Sequence, residues 1–139
     1  MYVLDTNVVS ELRRERPHGA VLKWLESVSL SELHVSAVTI GELQQGAEMT
    51  RSQNPERAAE LEDWLDDEVL NHFNVLSFDI ASAREWARIM RRQSDTLMLD
   101  GMIAATAQVR GYMVVTRNVR DFQQLGSRVL DPFEFEGYL

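Results

Sequence analysis

The chain contains no cysteine, which excludes disulfides and thiolate metal sites and suits a reducing compartment. No apolar run approaches the roughly 18 residues that a membrane-spanning helix needs. The first residues lack the basic start, apolar stretch and small-residue cleavage site of a secretory signal, so the expected location is the cytoplasm, away from any membrane. Proline is limited to Pro17, Pro55 and Pro132. With no linker, repeat or low-complexity tract, a chain of 139 residues is expected to form one domain over residues 1–139. Lysine is almost missing too: among 14 basic residues only Lys23 is lysine, and the rest are arginine.

A surplus of positive charge is also absent. The net charge of −8 argues against a broad basic footprint for nucleic acid. The arginines are nevertheless grouped, as Arg13, Arg14 and Arg16, then Arg91 and Arg92, then Arg117 and Arg120. Each guanidinium is a planar fork of donors suited to phosphate or carboxylate, although pairing with the surplus acid on helix surfaces accounts for most such residues. The densest acid run, "ERAAELEDWLDDEVL", reads as a solvated helix face. His18, His34 and His72 fall in separate units without metal-ligand spacing.

What is present is an alternation of short apolar runs with longer segments of helical period, the pattern of βα units around a mainly parallel sheet. "YVL" is the first strand, and Thr6 or Asn7 can cap a helix running through about Arg13. "AVLKWLESV" is a second helix, "LHVSA" a strand and "VTIGELQQGAEM" a helix. After the turn "RSQNP", Pro55 suits the first turn of a long helix. "FNVLSF" is a strand, "DIASAREWARIMRR" a helix with Asp79 at its start, and "TLMLDGMIAATAQVRG" an Ala-rich helix closed by Gly111. "YMVVT" reads as a central strand apolar on both faces, "RNVRDFQQLG" as a short helix, and "RVLD" as a last strand stopped by Pro132. The aromatics Trp24, Trp64, Trp86 and those of "PFEFEGYL" suit core packing, with interface cover as the alternative.

Four acids stand out against this frame. Asp5 follows the first strand, at the edge where open α/β sheets bind ligands. Glu42 lies one turn into the helix after "LHVSA", and Asp121 in the first turn after "YMVVT". Asp100 shares a helical stripe with Ile103, Ala104 and Ala107, where an unpaired charge is costly. Mg²⁺ or Mn²⁺ can compensate such a group, and can polarise a phosphoryl oxygen while activating water against phosphorus. Each acid also has a plainer reading: Asp5 as a helix cap, Glu42 as a surface residue, Asp100 as an arginine partner, and Asp121 as the end of a capping box begun by Asn118.

The segments "VLDTNVVSEL", "SAVTIGELQQG", "LDGMIAATAQVRG" and "VVTRNVRDFQQLG", in this order and with the closing "VLDPF", resemble PIN-domain ribonucleases of the VapC/FitB toxin type over nearly the whole chain. "RRQSDTLMLDG" departs by lacking a proline before Asp100. The resemblance implies a three-layer α/β/α sandwich with a mainly parallel central sheet. It implies a Mg²⁺ or Mn²⁺ site holding Asp5, Glu42, Asp100 and Asp121 as the catalytic acids, with Thr6, Asn7, Thr116 and Asn118 as supporting polar groups. Arg13, Arg14, Arg117 and Arg120 are candidates for contact with RNA phosphates.

The implied activity is that of a toxin–antitoxin pair's toxin, an endoribonuclease hydrolysing single-stranded or loop RNA by metal-activated water, leaving 5′-phosphate and 3′-hydroxyl ends. The implied partners are a cognate antitoxin, a second copy of the chain, higher toxin–antitoxin assemblies, and operator DNA through the antitoxin alone. Two alternatives belong to other classes. One is a catalytically silent metal- or partner-binding module. The other is an aspartyl phosphatase using Asp5, which wants a second acid two positions on, where Asn7 stands.

Overall fold

The structure, a computed structural model, describes residues 1–137, so the role expected of Tyr138 lies outside the described residues. Five short strands, β1 (Tyr2–Leu4), β2 (Leu33–Ser36), β3 (Asn74–Leu76), β4 (Met113–Val115) and β5 (Val129–Leu130), form one sheet in the order β3-β2-β1-β4-β5. Every pairing is parallel. The connecting helices are α1 (Thr6–Glu11), α2 (Gly19–Glu26), α3 (Ala37–Arg51), α4 (Pro55–Trp64), α5 (Leu70–His72), α6 (Ile80–Met90), α7 (Met98–Gln108) and α8 (Val119–Gln124).

Strand periodicity explains the layers. Successive side chains on β1 point to opposite faces, and both faces are covered. Leu4 packs with Val8 and Val9 of α1, Val21 and Trp24 of α2, and Leu65 and Val69. Val3 packs with Ile103, Ala104 and Ala107 of α7 and with Phe122 and Leu125 of α8, and Ile89 and Met90 of α6 close over that cluster. The three-layer α/β/α arrangement therefore follows from a central strand with no polar face.

Helix α7 lies close to α6, because a Cβ on Gly101 would stand 2.5 Å from Met90 Sδ and 3.3 Å from Trp86 Cδ1. Its entry, where proline is missing, is a 3₁₀ turn at Asp95–Leu97 in which Ser94 Oγ accepts from Thr96 N. Gly111 takes the left-handed conformation (φ 72°) between α7 and β4, as expected of a helix-closing glycine.

Several boundaries differ from those read in the sequence. Helix α1 ends at Glu11 rather than near Arg13, because Arg13 to Arg16 are exposed and offer no apolar face to bury, and Pro17 follows. Its cap is Asp5 and not Thr6 or Asn7: Asp5 is extended (φ −69°, ψ 156°) and its side chain accepts from Thr6 N. The long acidic helix is broken by a wider π-helical turn at Leu65–Val69 before α5. That turn buries Leu65 and Val69 while Asp66, Asp67 and Glu68 remain exposed, so the acid run is a solvated face.

The tryptophans pack internally. Trp24 stacks edge-on with Tyr2, at 5.1 Å between centroids, and Trp86 donates to Met98 O while its ring meets Phe78. Trp64, Phe133 and Phe135 pack against the first core cluster. No helix among the described residues is long and apolar enough to cross a membrane.

Leu4 is fully buried whereas Ile80 is 80% exposed. Leu4→Ala is expected to cost about 2–5 kcal/mol in urea unfolding, and Ile80→Ala no more than about 0.5 kcal/mol. Equal losses would contradict the burial.

Candidate active site

The sheet order dictates where a ligand can enter. From β1 the chain moves outward on one side to β2 and β3, then returns to place β4 on the other side of β1. The crevice at the carboxyl ends of β1 and β4 is therefore the topological switch point. Asp5 stands there, and its backbone N–H still bonds to Val115 O across the two strands.

The Asp5 side chain is only 3% exposed. Its Oδ1 accepts from Thr6 N at 2.8 Å and its Oδ2 from the Thr116 hydroxyl at 2.8 Å. Thr116, itself fully buried, is oriented in turn because its Oγ1 accepts from Asn118 N at 2.9 Å. Asp5 does cap α1, as the plainer reading required, but one oxygen suffices for that and the other is held by a different strand.

Glu42 is half-buried on α3 and its Oε1 accepts from Thr6 Oγ1 at 2.8 Å, while the same hydroxyl lies 3.0 Å from Thr39 Oγ1. Thr6 thus ties Glu42 to the residue beside Asp5. Asp5, Glu42, Asp100, Thr6, Asn7 and Asn118 line one cleft of about 640 Å³. Asp121 is half-buried near Asp100 and adds to the negative potential there. Among the described residues, none of the four acids forms an ion pair, so Asp100 has no arginine partner. Nor does the capping box at Asn118 form, since that side chain makes no cap hydrogen bond.

Electrostatics follow from burial without neutralisation. Removal from water pushes the Asp5 carboxyl up to about 6. The Asp100 and Glu42 charges push the same way, against the hydrogen bonds from Thr116 and Thr6. Burial and the charges of Glu42 and Asp121 likewise raise Asp100.

The donor set is all oxygen, which suits a hard divalent cation such as Mg²⁺ or Mn²⁺. Asn7 Oδ1, at the same cleft, is buried without a hydrogen-bond partner. Among the described residues no group of three or more His, Asp or Glu side chains stands close enough together to hold a metal ion. An open acidic cleft fits Mg²⁺, which binds through one or two carboxylates and keeps several waters.

The candidate arginines divide. Arg13 and Arg14 line the cleft, Arg13 lying 5.9 Å from the centroid of the Trp64 ring. Arg117 stacks over Phe133 at 4.3 Å and Arg120 is exposed, and neither lines the cleft. Three residues escaped notice in the sequence. Glu11, only 7% exposed, lines the cleft and accepts from Arg14 Nη1 and His18 N. Ser10 lines it as well, and buried Thr39 supports Thr6. The available signal was helical spacing, since Glu11 follows Asn7 by four and Thr39 precedes Glu42 by three.

Asp5 ionises near 3.8 when exposed and near 6 when folded. Without divalent ions the native chain holds more protons than the unfolded chain between these values, so stability falls as pH rises through that window. Asp5→Asn is expected to raise the Tm above the parent's at pH 7.5 in chelator, by at most about 3 kcal/mol in stability, with the gap narrowing as pH falls from about 6 and closing below 3.8. A gap that widens on acidification contradicts the assignment.

The description of the PIN domain matches residues 2–127. The chain is 36% identical over 140 residues to VapC ribonuclease Y4jK of Sinorhizobium fredii, covering 96% of this chain and 99% of that protein. It is 32% identical over 139 residues to the toxin FitB of Neisseria gonorrhoeae, with the same coverage. A solved structure of FitAB bound to an IR36 DNA fragment superposes on all of both chains with a TM-score of 0.84 at 30% identity. By sequence, by fold and by the strand ends at which its acids gather, the chain belongs to the PIN domain family.

Proposed function

We propose that this protein is an endoribonuclease and the toxin of a toxin–antitoxin pair, in which Asp5, Glu42, Asp100 and Asp121 hold Mg²⁺, or Mn²⁺ in its place. The observation that carries the reading is a buried, hydrogen-bonded carboxylate at the switch point, close to further acids, none of which forms an ion pair among the described residues. Relatives named ribonuclease and toxin support it.

In this reading the acids supply negative oxygen ligands, and Thr116 and Thr6 prevent Asp5 and Glu42 from turning away. When bound, the divalent ion supplies Lewis acidity that activates water and offsets charge on the phosphoryl group. Arg13 and Arg14 at the rim attract the phosphates, which the acids alone would repel. Hydrolysis then leaves a 5′-phosphate and a 3′-hydroxyl. Single-stranded or loop RNA is the substrate class, because a flexible backbone can bring one phosphate into the cleft.

FitAB has been solved on DNA. By analogy this chain binds an antitoxin, pairs with a second copy and joins higher assemblies, with operator DNA contacted through the antitoxin.

Purified protein is expected to cleave RNA with Mg²⁺ and not with chelator. Asp5→Asn and Asp100→Asn should each lose about 10²-fold or more in kcat/KM with unchanged circular dichroism. Mg²⁺ should also raise the parent's Tm more at pH 7.5 than at pH 5, because ionised carboxylates bind it. Cleavage that survives chelation or Asp100→Asn defeats the mechanism. A Tm response without cleavage of any RNA favours the silent module.

A further inference from the structure

We propose that the exposed face of α6 is a second RNA contact outside the acid cleft, where Arg84, Arg88 and Arg91 grip the backbone phosphates of a single strand leading away from the cleaved bond. This rests on the ribonuclease reading and adds a substrate-binding surface to it.

The three residues fall at i, i+4 and i+7 and so share one helix face. All are exposed, as is the neighbouring Arg92. The opposite face carries buried Ser82 and the half-buried Ile89 and Met90, which bind α6 to the domain. Between the arginines, Ala87 floors a shallow hollow of about 540 Å³ bordered by Arg88 and Arg91. At a rise of about 1.5 Å per residue, Arg84 and Arg91 lie about 10 Å apart along the helix, a span that several consecutive phosphates can follow.

Most of the positive charge on this face is left unpaired. Among the described residues, four arginines outside α6 have an acidic partner, Arg14 with Glu11, Arg51 with Glu48 and Glu62, Arg57 with Glu60, and Arg110 with Asp79. On α6 only Arg88 has one, Glu85 at 3.2 Å. Among the described residues Arg84, Arg91 and Arg92 form no ion pair. A chain with net charge −8 does not lack acids to place beside them.

Position selects the occupant. Trp86 donates to Met98 O at 3.1 Å, and Met90 abuts Gly101, which follows the cleft-lining Asp100. The C-terminal end of α6, next to Arg91, therefore lies beside the start of α7, the helix that carries Asp100. A polyanion entering a cleft of carboxylates meets repulsion, and guanidinium groups next to it offset that cost while leaving the cleft free for chemistry.

The test compares the parent with an Arg84→Gln/Arg88→Gln/Arg91→Gln chain. Two substrates are used, a long unstructured RNA and an oligonucleotide of a few residues carrying the same scissile bond. Since these side chains are exposed and only Arg88 has an ion pair, on the surface with Glu85, the fold should be unchanged by circular dichroism. KM for the long RNA should rise about tenfold or more, with kcat unchanged and both parameters unaltered for the short substrate. The dependence of log KM on log KCl concentration should become shallower by about 2, as three lost phosphate contacts on a single strand require. The Arg→Lys triple should keep the steep slope. An unchanged KM and slope for the long RNA, with the parent active, overturns the track and leaves the nuclease standing. The same holds if only capture of polyglutamate is lost, which would assign the face to an acidic protein partner. A parent that cleaves no RNA overturns the ribonuclease reading, and the track with it.

Discussion

Burial of the Asp5 carboxylate is the constraint around which the molecule is arranged. A charged group 3% exposed at the end of a central strand is tolerable only if its oxygens are satisfied. One oxygen accepts from the first N–H of α1, the other from the hydroxyl of Thr116 at the end of β4. These bonds require α1 to begin directly after β1 and β4 to lie beside it. They also leave Asp5 held above its ordinary ionisation range, because they do not compensate fully for lost hydration. The deficit is a structural fact of the cleft before any ligand is considered.

The neighbouring groups extend the same logic. Thr6 uses its backbone N–H for Asp5 and its hydroxyl for Glu42, so one residue orients two carboxylates on different elements. Asp100 reaches the cleft from α7, and the absence of a side chain at Gly101 lets that helix lie against Trp86 and Met90. Close packing and acid placement are thus coupled through adjacent residues. Among the arginines, Arg51, Arg57 and Arg110 pair with acids away from the cleft, whereas Arg13 and Arg14 stand at its rim, Arg14 beside Glu11.

Much of the architecture could be read from local pattern. "YMVVT" and "YVL" are apolar on both faces and became central strands, and the acid run became a solvated face. The errors have local causes as well. Thr6 and Asn7 looked like caps because both residue types favour that position, yet the extended backbone of Asp5 places the cap one residue earlier. The π-helical turn at Leu65–Val69 was invisible because both apolar residues fit an ordinary helical period. For Glu11 and Thr39 the only local signal is helical spacing from Asn7 and Glu42, which puts them on the same helix faces but does not mark either as buried.

By itself the sequence determined the kinds of element, their order and the presence of acids at strand ends, because these depend on periodicity and on short-range backbone preference. Tertiary structure alone decided which of those ends meet. The bond from Thr116 to Asp5 spans 111 positions and the bond from Thr6 to Glu42 spans 36. Both exist because the sheet places β2 and β4 on either side of β1, a choice made by burial of both sheet faces at once and written in no single segment.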